Sequence, residues 1–173
     1  NNTSALILNG TSLTLSGTDS MDLLSLAIES NSTFSTQSDL AIVNGITVAG
    51  TLKSPNRAIT VTNGPSSITG TVEAGSLTIS NGTLTTDADT KINLSGQLSL
   101  ADWTLGKGSI TANTLGTTAT SVLQLTGTKL QLSGNLGNFA SLTLLDGATL
   151  KVGQLQVPND AKVTVTIGAN SSV

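Results

Sequence analysis

Two aspartates in the segment TDADTK, residues 86–91, have the types and spacing best suited to chemistry in this sequence. Asp87 and Asp89 are two residues apart, so both carboxylates would project from the same face if the segment is a strand. In that arrangement they could bind Ca²⁺ or act as an acid and base pair. The segment lacks the other oxygen ligands of an EF-hand, however, and Lys91 can balance the charge. A charged corner is therefore the favoured interpretation, with a metal site and an acid–base pair as alternatives.

The rest of the sequence offers few groups for catalysis. The 173 residues include no His, Cys or Tyr, and Arg57 is the only arginine. Acid–base catalysis most often uses His, and nucleophilic catalysis needs a side chain that a neighbouring group activates. An enzyme that cleaves polysaccharides would need clustered acids with a basic residue nearby. The sequence therefore predicts a protein that is not an enzyme and has no cofactor, with a polysaccharide-active enzyme as the least favoured alternative.

Trp103, in the segment LADWTLGKG at residues 100–108, is the only tryptophan. A flat indole ring suits the face of a pyranose, so Trp103 is a candidate ligand-binding residue. The same side chain could instead plug a widened part of the core or cover one flank of it. The structural role is the favoured interpretation, and Phe34 and Phe139 are also predicted to be structural.

The charge composition argues against several classes of partner. Charged residues make up 10% of the chain, against roughly 25% in typical globular proteins, and the net charge is −3. The seven Lys and Arg residues are scattered along the sequence, so we expect no basic patch of the kind that nucleic acids and anionic membranes require. The longest apolar cluster, LLSLAI at residues 23–28, is far shorter than a membrane span. We therefore expect neither nucleic acid binding nor membrane insertion by this segment.

The elements that would position these residues are short strands. Apolar and polar residues alternate with a period of two, as in LTI at residues 77–79 and LSL at residues 98–100, and this pattern is typical of strands with one buried face. A helix is conceivable only in DSMDLLSLAIES, residues 19–30. Both flanks of that segment resemble strands, so we predict a strand there and keep a helix as the alternative.

Glycine and asparagine recur between these runs and mark corners, because both residues accept positive φ at little cost. Hairpins could use such corners, but antiparallel sandwiches and barrels usually fill a wide core with aromatic residues, which make up only 2% of this chain. A narrow core of stacked aliphatic side chains suits a solenoid instead. We therefore predict an all-β fold, a right-handed parallel β-solenoid with about 20 residues per rung. Roughly eight rungs would give a rod about 40 Å long, in a single domain over residues 1–173.

Three phrases carry a resemblance to a known family, namely AGTLKS (residues 49–54), NGTLTTDADTKINLSGQLSL (residues 81–100) and LDGATLKVGQLQV (residues 145–157). In repeat style, over nearly its whole length, the sequence resembles the secreted β-helical passenger domains of bacterial autotransporters and two-partner-secreted adhesins. The resemblance implies secretion across an outer membrane and display at the cell surface. The protease motif that some members carry is not found, and the chain is expected to be a whole domain or a fragment of a longer passenger.

These features predict a non-enzymatic structural or adhesive module that is secreted or displayed at the bacterial cell surface. Its partners would be other copies of itself, or glycans and proteins of host and bacterial surfaces. A self-assembling extracellular fibre subunit is one alternative. Ice binding is another, although a flat ice-binding array needs a constant period and the Thr-X-Thr triplets are unevenly spaced. The triplets begin at Thr60, Thr69, Thr83, Thr118, Thr126 and Thr164.

Overall fold

The computed structural model describes residues 4–156 and 164–173. The predicted domain over residues 1–173 and the phrase at residues 145–157 both extend into residues outside these ranges. Every regular element that the structure describes is a strand, and it contains no helix long and apolar enough to cross a membrane. The strands are β1 (Ala5–Leu8), β2 (Ser12–Leu15), β3 (Met21–Leu23), β4 (Ser25–Ile28), β5 (Thr33–Thr36), β6 (Leu40–Asn44), β7 (Ile46–Val48), β8 (Thr51–Asn63), β9 (Ser66–Ile68), β10 (Thr71–Ile79), β11 (Leu84–Thr86), β12 (Lys91–Leu94), β13 (Gln97–Leu100), β14 (Thr104–Leu105), β15 (Gly108–Ala112), β16 (Thr114–Leu115), β17 (Val122–Thr126), β18 (Thr128–Leu132), β19 (Ser141–Leu145), β20 (Thr149–Lys151) and β21 (Thr164–Ile167).

The strands stack in parallel, with neighbours about 20 residues apart in the chain. Ile28 pairs with Val48, for example, and Val48 pairs with Ile68. Parallel neighbours need a long connection between them, and here the other strands of the same rung supply that connection. The chain is thus a parallel β-solenoid of about eight turns. This confirms the all-β solenoid and the rung length that the sequence predicts, and at about 4.8 Å per rung it gives a rod some 40 Å long.

The rungs build three faces. The first face contains β1, β4, β7, β9 and β11 and, after a break in its hydrogen bonding, β14, β17, β19 and β21. The second face contains β2, β5, β12, β15, β18 and β20 together with the first halves of β8 and β10. The third face contains β3, β6, β13 and β16 together with the second halves of β8 and β10. The two long strands therefore turn the corner between the second and third faces, where their register shifts between Ala74 and Ser76.

A narrow, mainly aliphatic core runs along the axis of the rod. Alternation turns every second side chain inward, and the parallel register places inward positions above one another. On the third face, Ile59, Leu77 and Leu98 stack in this way and are fully buried. The inward row of the second face is Leu13, Phe34, Leu52, Val72, Ile92, Ile110, Leu130 and Leu150. Phe34 and Phe139 are both buried, so their predicted structural role is confirmed.

The segment at residues 19–30 forms strands β3 and β4, which confirms the strand prediction over the helical alternative. Each strand pairs in parallel with a strand of the next rung, β6 and β7 respectively. Leu26 and Ile28 are buried, while Ala27 between them points outward. Pairing with the next rung therefore gives these apolar side chains neighbours on adjacent rungs, and this packing favours the strand over the helix.

The corner before the second face is built from small residues, one per rung. We call it the small-residue corner; its members are Thr11, Ser32, Gly50, Gly70, Thr90, Gly108, Thr128 and Ala148. The rungs approach closely here, since a Cβ at Gly70 would lie 2.1 Å from the carbonyl oxygen of Gly50. The hydroxyls of Thr90 and Thr128 hydrogen-bond to carbonyl oxygens of the preceding rung. From Ser32 onward, each position is thus filled either by a residue too small to clash or by a Thr whose hydroxyl joins two rungs.

Candidate ligand-binding face

Asp87 and Asp89 lie in a turn and not in a strand. β11 ends at Thr86 and β12 begins at Lys91, so the alternative that required a strand here, with both carboxylates on one face, is wrong. The cause is local, because Oδ1 of Asp87 accepts hydrogen bonds from the backbone N–H groups of Asp89 and Thr90, both at 3.0 Å, and these close an Asx turn. Over the described ranges, no three His, Cys, Asp or Glu side chains are grouped as a metal site. The geometry is that of a charged corner.

Replacing Asp87 with Ala should lower the free energy of unfolding by about 1–2 kcal/mol, because two backbone N–H groups lose their acceptor. Asp89 is exposed, so Asp89→Ala is the matched control and should change that free energy by less than about 0.5 kcal/mol. Urea unfolding followed by circular dichroism measures both effects. A Ca²⁺-dependent rise in the unfolding midpoint that both substitutions remove would instead favour the metal-site interpretation.

Trp103 is buried at the break in the first face. It directly precedes β14, where the second hydrogen-bonded sheet of that face begins, and its side chain is 4% exposed. A groove of about 490 Å³ lies beside it, lined also by Asp102, Thr118 and Ser121. A sugar-stacking platform needs an open ring face, whereas this ring belongs to the hydrophobic core. The placement corresponds to the favoured structural interpretation, in which Trp103 plugs the core.

The Thr-X-Thr triplets lie on different parts of the rod. The triplet at residues 60–62 lies on the third face, the one at residues 83–85 reaches β11 on the first face, and the one at residues 118–120 lies in a loop. Thr128, the last residue of another triplet, is buried in the small-residue corner. These triplets therefore do not form the single row of constant spacing that an ice-binding surface needs.

The outward side of the second face is polar at every rung. Its two outward rows contain only Ser, Thr, Asn, Gln, Lys and Glu, and we call them together the polar face. The first row is Ser12, Thr33, Thr51, Thr71, Lys91, Ser109, Lys129 and Thr149; the second row is Thr14, Ser35, Lys53, Glu73, Asn93, Thr111, Gln131 and Lys151. The polar face is thus an unbroken hydrogen-bonding surface along the rod.

The polar face also concentrates positive charge. Four of the seven Lys and Arg residues of the chain lie on it, together with a single acid, Glu73. Nζ of Lys53 lies 3.7 Å from Oε2 of Glu73, so these two charges are paired. Lys91, Lys129 and Lys151 occupy the later rungs, where no carboxylate that the structure describes lies within salt-bridge distance of them. One half of the face is therefore positive in a chain whose net charge is −3.

A groove of about 290 Å³ borders this positive half. Its lining includes Lys107, Lys129 and Asp146. The aliphatic part of Lys107 packs across Gly127, since a Cβ at that glycine would lie 3.1 Å from the lysine Cγ. Two ammonium groups and one carboxylate leave the groove with a net positive charge. It can pair with one anionic group and accept a hydrogen bond from a hydroxyl beside it.

The sequence alone does not predict the polar face, because its lysines are far apart in the chain. Lys91 and Lys129 are separated by 38 positions, yet they lie two rungs apart, with Ser109 between them. A signal for this proximity exists in the repeated phrases KINLSG (residues 91–96) and KLQLSG (residues 129–134). Aligning these phrases places both lysines at the same position of a rung. The expectation of no basic patch is based only on the distances between lysines along the sequence. It does not take into account that successive rungs bring distant residues together.

Comparisons of the chain with models of known protein families, with curated proteins and with solved structures gave no match. The functional assignment therefore depends on the fold and on the surfaces described above. Of these surfaces, the polar face combines continuity along the rod, exposed hydrogen-bonding groups and a distinct charge.

Proposed function

We propose that this chain is a non-enzymatic, rod-shaped module of a secreted or surface-displayed bacterial protein, and that it contacts glycans or proteins through its polar face. The observation that carries the proposal is the polar face itself, two uninterrupted rows of hydrogen-bonding side chains on a continuous stack of parallel strands. Because the sheet already fixes the backbone, binding requires little further ordering of the chain. Such a surface suits many weak contacts along an extended partner.

The repeat style of the sequence supports a location outside the cell. The aliphatic strand phrases and their glycine corners resemble those of autotransporter passengers and two-partner-secreted adhesins, in which a β-helix is displayed at the bacterial surface. A solenoid also suits a stalk, because each rung adds about 4.8 Å of height and changes nothing in the rungs beneath it. The module would hold its contact surface at a distance from the cell.

The fluorescently labelled chain should bind intact bacterial or host cells, and binding should require the folded rod. Flow cytometry measures the binding, and the Leu77→Asp variant, which we expect to be unfolded, controls for non-specific adsorption. Incubation with pectin or alginate should release no new sugar ends. Failure to bind any cell type, combined with release of new ends, would contradict the proposal and favour the enzyme alternative.

A self-assembling fibre subunit is the second candidate, and β21 is the observation that favours it. β21 pairs only with β19 among the described strands. Its residues Val165 and Ile167 continue the inward row of Leu142 and Leu144, but they are 41% and 51% exposed. A rung from a second copy could pair with this edge and cover both side chains. Regular filaments in electron micrographs of concentrated protein would favour this candidate, and a stable monomer at all concentrations would count against it.

A further inference from the structure

We infer that the positive half of the polar face binds an acidic polysaccharide in which carboxylate-bearing sugars alternate with neutral sugars. Lys91, Lys129 and Lys151 pair with the carboxylates. The inference rests on the proposed function and names the class of partner that the polar face takes. Its basis is the spacing of the lysines, the neutral side chains between them and the groove at their edge.

The lysines are spaced for a partner with separated charges. Lys91 and Lys129 are two rungs apart, about 9.6 Å, and Ser109 lies between them. Lys151 lies one rung further and in the neighbouring row, beside Gln131. An extended glycan with a uronate at every second sugar presents carboxylates at a comparable interval. Duplex DNA carries one charge per roughly 1.7 Å of its axis, far denser than this lysine pattern.

Neutral polar side chains fill the positions between the lysines. Asn93, Thr111 and Gln131 form the row beside Lys91 and Lys129, and all three point outward from the sheet. Amide and hydroxyl groups both donate and accept hydrogen bonds, as sugar hydroxyls do. A polymer that combines hydroxyl groups with spaced carboxylates therefore matches both components of the surface.

The groove of about 290 Å³ accommodates a single acidic sugar at the edge of the face. Lys107 and Lys129 pair with its carboxylate, and Asp146 accepts a hydrogen bond from a hydroxyl of the same or the next sugar. The carboxylate of Asp146 also repels polymers with densely packed charges. The local charge pattern thus favours a uronate-bearing chain over a polyphosphate or a heavily sulfated one.

The test uses the whole chain with oligosaccharides of hyaluronan, in which uronates alternate with neutral sugars, and with dextran as the neutral probe. Isothermal titration calorimetry should show that hyaluronan binds, that the affinity falls as salt is raised, and that dextran does not bind measurably. The triple variant Lys91→Gln, Lys129→Gln, Lys151→Gln should bind hyaluronan about tenfold more weakly, because three charged contacts are lost.

The matched control is the triple variant Thr47→Glu, Thr85→Glu, Gln124→Glu on the first face, where all three side chains are exposed. Removing three positive charges or adding three negative ones takes the net charge from −3 to −6 in either variant. The control should bind hyaluronan like the unmodified chain, and circular dichroism checks that both variants are folded. Equal loss in both variants, no loss in the lysine variant, or no binding of hyaluronan by the unmodified chain would overturn the inference.

Two further outcomes separate this inference from its alternatives. Lysine-dependent binding that is tighter for duplex DNA, or for vesicles containing phosphatidylserine, than for hyaluronan would overturn the assignment to a glycan. Cell binding that persists in the lysine variant would overturn the inference and leave the proposed function standing. Loss of cell binding by the folded lysine variant, together with its weaker binding of hyaluronan, would support both.

Discussion

Leu77→Asp should unfold the middle of the rod. Leu77 is fully buried in the stack between Ile59 and Leu98, where its neighbours are aliphatic and offer a carboxylate no partner. We expect the free energy of unfolding to fall by at least about 4 kcal/mol, a large part of the roughly 5–15 kcal/mol that stabilises a typical protein. The strand signal in circular dichroism should decrease, and the emission of Trp103 should shift to the red as the indole meets water.

Thr78→Asp is the matched control for Leu77→Asp. Thr78 is the next residue of β10, and it points outward between Thr60 and Ser99 on the adjacent rungs. A carboxylate there stays hydrated, so the free energy of unfolding should fall by less than about 1 kcal/mol. Equal destabilisation by the two substitutions would show that inside and outside do not alternate along β10 as described.

Gly70→Ala should destabilise the rod by about 3 kcal/mol, although it adds only one methyl group. A Cβ at Gly70 would lie 2.1 Å from the carbonyl oxygen of Gly50 and 2.6 Å from that of Ala49. Both atoms belong to the backbone of the preceding rung, so the rungs have to separate. Separation weakens the hydrogen bond from the N–H of Thr71 to the same Gly50 oxygen. The urea concentration at the midpoint of unfolding should therefore be lower for Gly70→Ala than for the unmodified chain.

The control for this prediction is Gly17→Ala. A Cβ at Gly17 would have no heavy atom within 4 Å, and its φ lies outside the left-handed region. The substitution restricts the unfolded chain and should leave stability unchanged or raise it by about 0.4–1 kcal/mol. If Gly70→Ala were as stable as Gly17→Ala, close packing would not limit the size of the side chain at the small-residue corner.

The fold could be predicted from the sequence because its determinants are local. The alternation at residues 77–79 and 98–100 specifies strands, and the scarcity of aromatic residues favours a narrow core. The sequence favours a charged corner at Asp87 and Asp89, but the Asx turn that forms it could not be predicted from their spacing, since two carboxylates two residues apart occur both in strands and in Asx turns. The hydrogen bonds that Asp87 accepts decide the matter, and they depend on the backbone conformation.

The repeated phrases at residues 91–96 and 129–134 align Lys91 with Lys129, but the whole polar face could not be predicted, because it depends on register across rungs of unequal length. The step from Lys91 to Ser109 is 18 residues, and the step from Ser109 to Lys129 is 20. An error of one residue would turn Lys129 toward the core. A structural role for Trp103 could be predicted, but its position beside the break between β11 and β14 could not, because no local sequence pattern indicates that break.

The hydrogen bonds between rungs run parallel to the long axis of the rod, and this direction has a mechanical consequence. A tension spread over all three faces loads every ladder of a rung at once, so the rod resists stretching as a unit. A pull on one strand of an outer rung instead breaks the hydrogen bonds between that rung and the next one after another. Each detached rung of about 20 residues frees roughly 70 Å of chain, while the remaining rungs keep their contacts. Under a peeling load the molecule would lengthen in discrete steps, absorb work at each step, and recoil as rungs re-form on the template beneath them.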